Sequence, residues 1–227
     1  MKVMAFNGSP RKKDWNTVVL LNNALEGAKS KGAETELVQL YDLKFSGCIS
    51  CFACKHRDRK KDGVCSVQDE LTAVLNRVKE ADALIIGSPV YYGAETAATR
   101  AFLERLCFPY LKYSKDGRSL FPRRINTAML YTMNVSEDML SKVGYDRMFS
   151  MTQFMLQLHF GACELFLSTD TLQYSDYDKF ESEAFDKNAK MRRHAEVFPD
   201  DCRKAFELGV RMASGEVPEA KPMSWHE

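Results

Sequence analysis

The sequence has almost no excess charge of either sign: 32 Lys and Arg stand against 31 Asp and Glu, a formal net charge of +1 over 227 residues. Without a global field, neither nucleic acid nor an anionic membrane surface is an expected partner. No apolar run approaches the roughly 20 residues of a membrane span. The opening Met1-Lys2-Val3-Met4-Ala5-Phe6 passes straight into turn residues, without the apolar core and cleavage site of a secretory leader. A cytoplasmic protein is the expectation. The first glycine loop fits neither GxGxxG nor GxxxxGK followed by Ser or Thr, which disfavours both a dinucleotide fingerprint and a nucleoside triphosphate loop. No internal repeat is visible, and no side chain stands out as a general acid or a nucleophile.

What is present is alternation. Lys2 to Phe6 is a short apolar run, and Val18, Leu21, Leu25 and Ala28 then recur at helical spacing between Thr17 and Lys31. Glu34 to Leu40 alternates like a strand. Asp69 to Lys79 reads as a helix, and Ala83 to Val90 is continuously apolar, as expected of a parallel strand covered on both faces. A helix from about Thr96 to Leu106, a strand from Asn126 to Met133, a helix from about Glu137 to Phe160, a strand from Cys163 to Leu167 and a last helix from about Asn188 to Ala213 complete the pattern. This predicts an α/β fold over residues 1–227: a flavodoxin-like, doubly wound, five-stranded parallel sheet of order 2-1-3-4-5. Three segments fall outside the alternation: a basic, cysteine-bearing loop after strand 2 (41–68), Phe108 to Arg124, and an extension from about Ser168 whose first part reaches Lys187; the last two could shape a substrate pocket or a subunit contact, the bland alternative being an ordinary surface loop.

In such a sheet, ligands bind at the carboxyl ends of the strands. Gly8-Ser9-Pro10-Arg11 with Asn16-Thr17 lies there, opening onto a helix N-terminus where free N–H groups and the helix dipole favour an anion. Ser9, Asn16 and Thr17 can donate hydrogen bonds, Arg11 offers a fork for phosphate oxygens, and Lys12 and Lys13 raise the local potential. A single phosphomonoester fits; the bland alternative is a polar turn with a Thr or Asn helix cap. At the same rim, Pro89-Val90-Tyr91-Tyr92-Gly93 can stack on a flat ring, with Thr132-Met133-Asn134 approaching from the other side; core packing is the competing role for the tyrosines.

Cys48, Cys51 and Cys54 are spaced CxxCxxC, and Cys65 can return as a fourth ligand; four thiolates suit a [4Fe-4S] cluster or a tetrahedral zinc. Zinc using His56 and reduced thiols without metal remain alternatives. Cys107, Cys163 and Cys202 sit in apolar patterns and read as core. The stretch Lys55 to Lys61 reads as a solvated basic face, with docking of an acidic partner as the alternative.

Gly8-Ser9-Pro10-Arg11, Asn16-Thr17, Ala81-Asp82-Ala83 and Gly87-Ser88-Pro89-Val90-Tyr91-Tyr92-Gly93 together resemble the NADPH-dependent FMN reductase family, and the CxxCxxC insertion resembles its iron–sulfur flavoprotein branch. The resemblance covers roughly the first half of the chain. The gap before Cys65 is longer than in that branch. It implies FMN held by Ser9, Arg11, Asn16 and Thr17 at its phosphate and by Pro89 to Gly93 at its ring. The expected function is an FMN-dependent oxidoreductase moving electrons between FMN and a cluster or an external acceptor. An NAD(P)H-dependent flavin, quinone or azo reductase without a cluster, a flavodoxin-like carrier and a metal-binding interaction protein are the alternatives. NAD(P)H as donor, a small molecule or ferredoxin-like protein as partner, and a homodimer or homotetramer complete the expectations.

Overall fold

A computed structural model describes residues 1–58, 62–115 and 119–218; Arg59, Lys60 and Lys61 of the basic stretch lie outside it. The elements are β1 (Lys2–Asn7), α1 (Asn16–Lys29), β2 (Glu34–Gln39), α2 (Glu70–Val78), β3 (Ala83–Tyr91), β4 (Ala94–Glu95) and α3 (Ala97–Cys107). Then come β5 (Ile125–Thr132), α4 (Tyr145–Phe160), β6 (Gly161–Ser168), α5 (Lys187–Glu196) and α6 (Phe198–Met212). Five strands pair in parallel in the order β2-β1-β3-β5-β6, the flavodoxin-like arrangement. The sixth, β4, was not expected. It folds back antiparallel on the end of β3, pairing Tyr91 with Ala94 across a two-residue turn in which Tyr92 and Gly93 have φ of 50° and 76°. Positive φ at both central residues matches the twist of a tight hairpin, and glycine takes the second position without steric cost.

Side chains alternate across the sheet, so β1, β3 and β5 divide their apolar residues between two layers. Met4, Phe6, Leu84, Ile86, Met129 and Tyr131 pack under α2, α3 and α4, while Val3, Ala5, Ala83, Ile85, Ala128 and Leu130 pack under α1 and α6. The second layer is built from smaller residues, and the helices above it close in accordingly. A Cβ on Gly209 would fall 1.7 Å from the carbonyl oxygen of Ala24, and one on Gly27 would fall 1.9 Å from that of Phe206. The backbones of α1 and α6 therefore touch at two glycines.

Two long helices of the sequence reading are broken. The expected Glu137–Phe160 helix begins only at Tyr145, because Gly144 (φ 75°) turns the chain first. The expected Asn188–Ala213 helix divides at Val197, and Pro199, which has no N–H to donate, sits in the first turn of α6. Cys107 and Cys163 are buried as expected, and burial pushes the Cys163 thiol up to about 12; Cys202 is only partly buried, against the second layer. Among the described residues, no helix is long and apolar enough to cross a membrane.

His159, in the last turn of α4, is only 6 % exposed. Burial, with a smaller contribution from the Lys55 charge, lowers its pKa to about 4. Above the ordinary value near 6.5 the ring is neutral in both folded and unfolded chains. As pH falls below it, the unfolded chain takes up a proton that the folded chain refuses until about pH 4. Stability present above pH 6.5 is thus lost across this window, by about 3 kcal/mol. Urea unfolding between pH 7.5 and 4 is expected to show this loss, and H159Q to remove that part of the slope; parallel curves for the two proteins would exclude His159 as its source.

Candidate functional site

The loop after β1 winds around one buried side chain. Asn7 accepts from the Ser9 N–H (3.0 Å) and donates to Gln39 Oε1 (2.6 Å) at the end of β2, so the loop and two strand ends are fixed together. Ser9 Oγ then accepts from the Arg11 N–H (3.1 Å). Helix α1 starts after Trp15, which has no acceptor and makes no side-chain cap, and its first turn holds no acidic residue. The polar-cap alternative does not describe this helix. Its leading N–H groups remain available at the positive end of the dipole, the arrangement that receives anions.

The loop side chains meet a wall from the segment after β6, one of the two segments read as able to shape a pocket, though the sequence singles out none of its residues for the site. Arg11 Nη1 donates to Gln173 O (2.7 Å) while its guanidinium lies 3.8 Å over the Trp15 ring. Asn16 Nδ2 donates to Leu172 O (2.8 Å), and Thr17 Oγ1 meets Thr132 Oγ1 at 2.8 Å. Arg11 retains further donors for an anion, whereas Lys12 is paired with Asp42. The wall is itself anchored. Thr171 N–H bonds Met133 O (2.9 Å), and the nearly buried Lys190 of α5 pairs with Asp170 and donates to Asn134 O (3.0 Å).

Ser9, Arg11, Asn16, Thr17, Pro89, Val90, Tyr91 and Asn134 line one open cleft of about 280 Å³ at the carboxyl ends of β1, β3 and β5. Trp15, Thr132, Met133 and Thr171 to Gln173 complete it. Tyr92 and Gly93, expected at the ring, do not line it: they form the hairpin tip, and Tyr92 is fully exposed. Tyr91 does reach the cleft, and burial raises its pKa against the opposing Arg11 charge. Behind the hairpin, the buried Glu95 carboxylate accepts from Tyr131 Oη (2.7 Å) and Thr152 Oγ1 (2.6 Å), tying β4 to β5 and α4. Asn134 Oδ1 is buried and has no hydrogen-bond partner. A buried polar atom left so costs about 1–3 kcal/mol, which a ligand carrying a donor recovers. The loop donors and this acceptor fit a ligand with a phosphate at one end and a polar-edged ring at the other.

The four cysteines lie elsewhere. Cys48, Cys51, Cys54 and Cys65 line one small cavity together with Phe52, Glu104, Arg105 and Phe108. Burial raises the Cys54 thiol, Lys55 opposes this, and Cys65, Cys51 and Cys48 add to the rise, so the four sulfurs share one electrostatic neighbourhood. Among the described residues, no three His, Cys, Asp or Glu side chains are placed to hold one metal ion. A tetrahedral zinc needs its thiolates about 4 Å apart, from Zn–S bonds of about 2.3 Å; a polynuclear iron–sulfur core bonds each thiolate to a different iron and spreads them further. His56, the alternative zinc ligand, is exposed, 3.6 Å from Asp58, and does not line the cavity. Lys55, read as part of a solvated face, instead donates to Phe108 O (2.6 Å) and Pro109 O (3.1 Å), pinning the loop to the turn after α3. Arg105, which carried no signal beyond its place in a helix, pairs with Asp69 (2.7 Å); burial opposes its charge, but that partner and Cys65 keep its pKa above the ordinary value.

The cleft and the cysteine cavity share no lining residue. The N-cap of α3, Thr96, donates to Gly8 O (2.6 Å) in the loop after β1, whereas Glu104 and Arg105 line the cysteine cavity one helix-length away. Helix α3 thus links the loop after β1 to the cysteine cavity.

Several known proteins are similar to this chain. An iron-sulfur flavoprotein of Methanocaldococcus jannaschii is 38% identical over 105 residues, which is 46% of this chain and 51% of that protein. One of Methanosarcina thermophila is 32% identical over 105 residues, 46% of this chain and 52% of that protein. The chain spans about half the length of the curated relatives it matches. Among solved structures, an NAD(P)H:quinone oxidoreductase from Methanothermobacter marburgensis superposes with a TM-score of 0.68 at 15% identity, covering 93% of this chain and 98% of that one. An FMN-dependent NADH-azoreductase from Bacillus anthracis, in complex with FMN, gives 0.66 at 13%, covering 94% and 100%. These two establish the fold alone. The family model described as NADPH-dependent FMN reductase matches residues 1–135, more than half of the chain, and the chain belongs to that family.

Proposed function

We propose that this chain is an FMN-dependent oxidoreductase whose Cys48, Cys51, Cys54 and Cys65 hold a [4Fe-4S] cluster, and that it moves electrons between these centres or to an external acceptor. The observation that carries the first part is the uncapped N-terminus of α1 facing a cleft with an unpartnered acceptor at its far end. The names of the curated relatives and the shared cysteine cavity support the second.

The α1 amides, Ser9, Asn16 and Thr17 receive the phosphate. Arg11, flattened on Trp15, supplies charge from a pre-ordered position. Pro89, Val90 and Tyr91 form one side of the ring site, and Asn134 offers its free acceptor to a ring N–H. Tyr92 and Gly93 act by shaping the hairpin rather than by contact within this chain. FMN, when bound, supplies the hydride-accepting and electron-releasing chemistry, and the protein positions and tunes it. NAD(P)H is the donor class that the family description supports; a small molecule or ferredoxin-like protein is the acceptor class. A second copy of the chain is proposed to cover the apolar groove of about 630 Å³ along α3 and α4, whose lining includes the exposed Phe52, Tyr113 and Met151. The second reading, a flavin reductase with idle thiols, draws on the absence of a single-ion site among the described residues.

Anaerobically purified protein, assayed for absorption, iron and acid-labile sulfide, is expected to give flavin bands with a broad iron–sulfur shoulder; flavin without iron selects the second reading. No flavin after adding FMN overturns both. Arg11→Ala is expected to weaken FMN binding by about 1.5–3 kcal/mol, the worth of a hydrogen bond to a charged group. Unchanged affinity in a fluorescence titration removes Arg11 from the site. Sedimentation equilibrium is expected to show a dimer or tetramer, and a concentration-independent monomer rejects the covered groove.

A further inference from the structure

Arg105 is 1 % exposed, on the last turn of α3. Its Nη1 donates to Ser46 O (3.1 Å) and Asp69 Oδ2 (2.7 Å), and its Nη2 to Val67 O (3.2 Å) and Asp69 Oδ1 (3.2 Å). Ser46 lies just before Cys48 and Val67 just after Cys65. One guanidinium therefore clasps both ends of the loop that carries the four thiols. Asp69 in turn caps α2 through the Leu71 N–H (3.1 Å), so the clasp is anchored to two helices.

The clasp uses both terminal nitrogens and leaves the third donor over: Nε is buried and has no hydrogen-bond partner. The same side chain lines the cysteine cavity. The other candidate acceptor there, Glu104, already receives the Cys48 N–H on Oε2 (3.1 Å). Lys55, the second cation beside the cysteines, differs: its ammonium is spent on the carbonyls of Phe108, Pro109 and Leu111. An iron–sulfur core held by four thiolates is net anionic, becomes more so on reduction, and has sulfurs that accept hydrogen bonds, which are among the determinants of its potential.

We propose that Arg105 is the potential-setting residue of the cysteine site: it directs its Nε–H to a sulfur of the bound cluster and so favours the reduced state. The proposal rests on the reading that the four cysteines hold such a cluster. The thiolates of a zinc site would also accept this N–H, but zinc has no second redox state for it to favour; in a cluster the same bond stabilises the reduced form without any new protein movement.

The test is an EPR-monitored redox titration of anaerobically purified holoprotein, with iron and sulfide quantified on each sample. Arg105→Met is expected to keep cluster loading and move the midpoint to more negative potential, by enough to raise the oxidised-to-reduced ratio at the wild-type midpoint at least tenfold, which is 59 mV for one electron. Asp69→Asn leaves the guanidinium in place, removes its neutralising carboxylate and still provides a good helix cap; it is expected to shift the midpoint the opposite way. Should Arg105→Met lose its cluster or its fold, Asp69→Asn decides alone. A wild-type midpoint in the folded variants overturns the proposal and makes a water the partner of Nε, while the cluster reading stands. Wild-type protein holding neither iron nor sulfide overturns the cluster reading itself, and that outcome is visible before any variant is made.

Discussion

Parallel pairing of β1 with β2 and β3, and of β5 with β3 and β6, is the constraint from which the rest follows. Parallel strands need crossovers, crossovers place helices on both faces, and every strand then ends at the same edge. That edge is where backbone groups leave the ladder and must find other partners. Here Asn7 binds the turning loop to β2, Ser88 Oγ receives the Thr96 N–H (3.1 Å), and Thr96 reaches back to Gly8. The residual capacity at the edge, the open α1 amides and Asn134 Oδ1, is what a ligand finds. The cleft thus gathers polar groups that these bonds at the sheet edge leave over.

The two layers of the core are unequal, and the inequality has a chemical outcome. On the α1 and α6 side, alanines and facing glycines bring backbones together; on the α2, α3 and α4 side, Phe6 stacks on Phe102 at 4.5 Å, and Tyr131, Phe149 and Phe160 fill a thicker layer. The thicker layer carries both the buried Glu95 bonded to Tyr131 and the buried Arg105 bonded to Asp69. Ionic groups go inside only where partners come with them. One of these clusters steadies the hairpin of the cleft and the other steadies the cysteine loop, so both candidate centres are braced from the same layer.

Much of this was legible in the sequence because the signals are local. The apolar runs of β1, β3 and β5 give the sheet, Gly8 to Thr17 gives the strand-to-helix loop, and Cys48, Cys51, Cys54 and Cys65 do meet at one cavity. What escaped is long-range or conformational. Thr171 to Gln173 closes the cleft through bonds to residues more than 150 positions earlier, which no window of sequence can display. Trp15 carries no local signal of the guanidinium that lies over its ring. Arg105 lies among Leu103, Leu106 and Cys107, and its one charged neighbour within a turn, Glu104, says nothing of Asp69, 36 positions away. The positive φ of Tyr92 is set by the hairpin, so a residue that reads as a ring-stacking aromatic ends at an exposed tip.

The bonds from Arg11 to Gln173 and from Asn16 to Leu172 also set an order of events during synthesis. The loop after β1 emerges from the ribosome first, yet the wall it bonds to is among the later segments. Until β6 has docked against β5, the loop is half a binding site facing solvent. Closure of the cleft is therefore tied to completion of the sheet edge: the N-terminal loop is made early, and its wall is added only once the last strand has found its place.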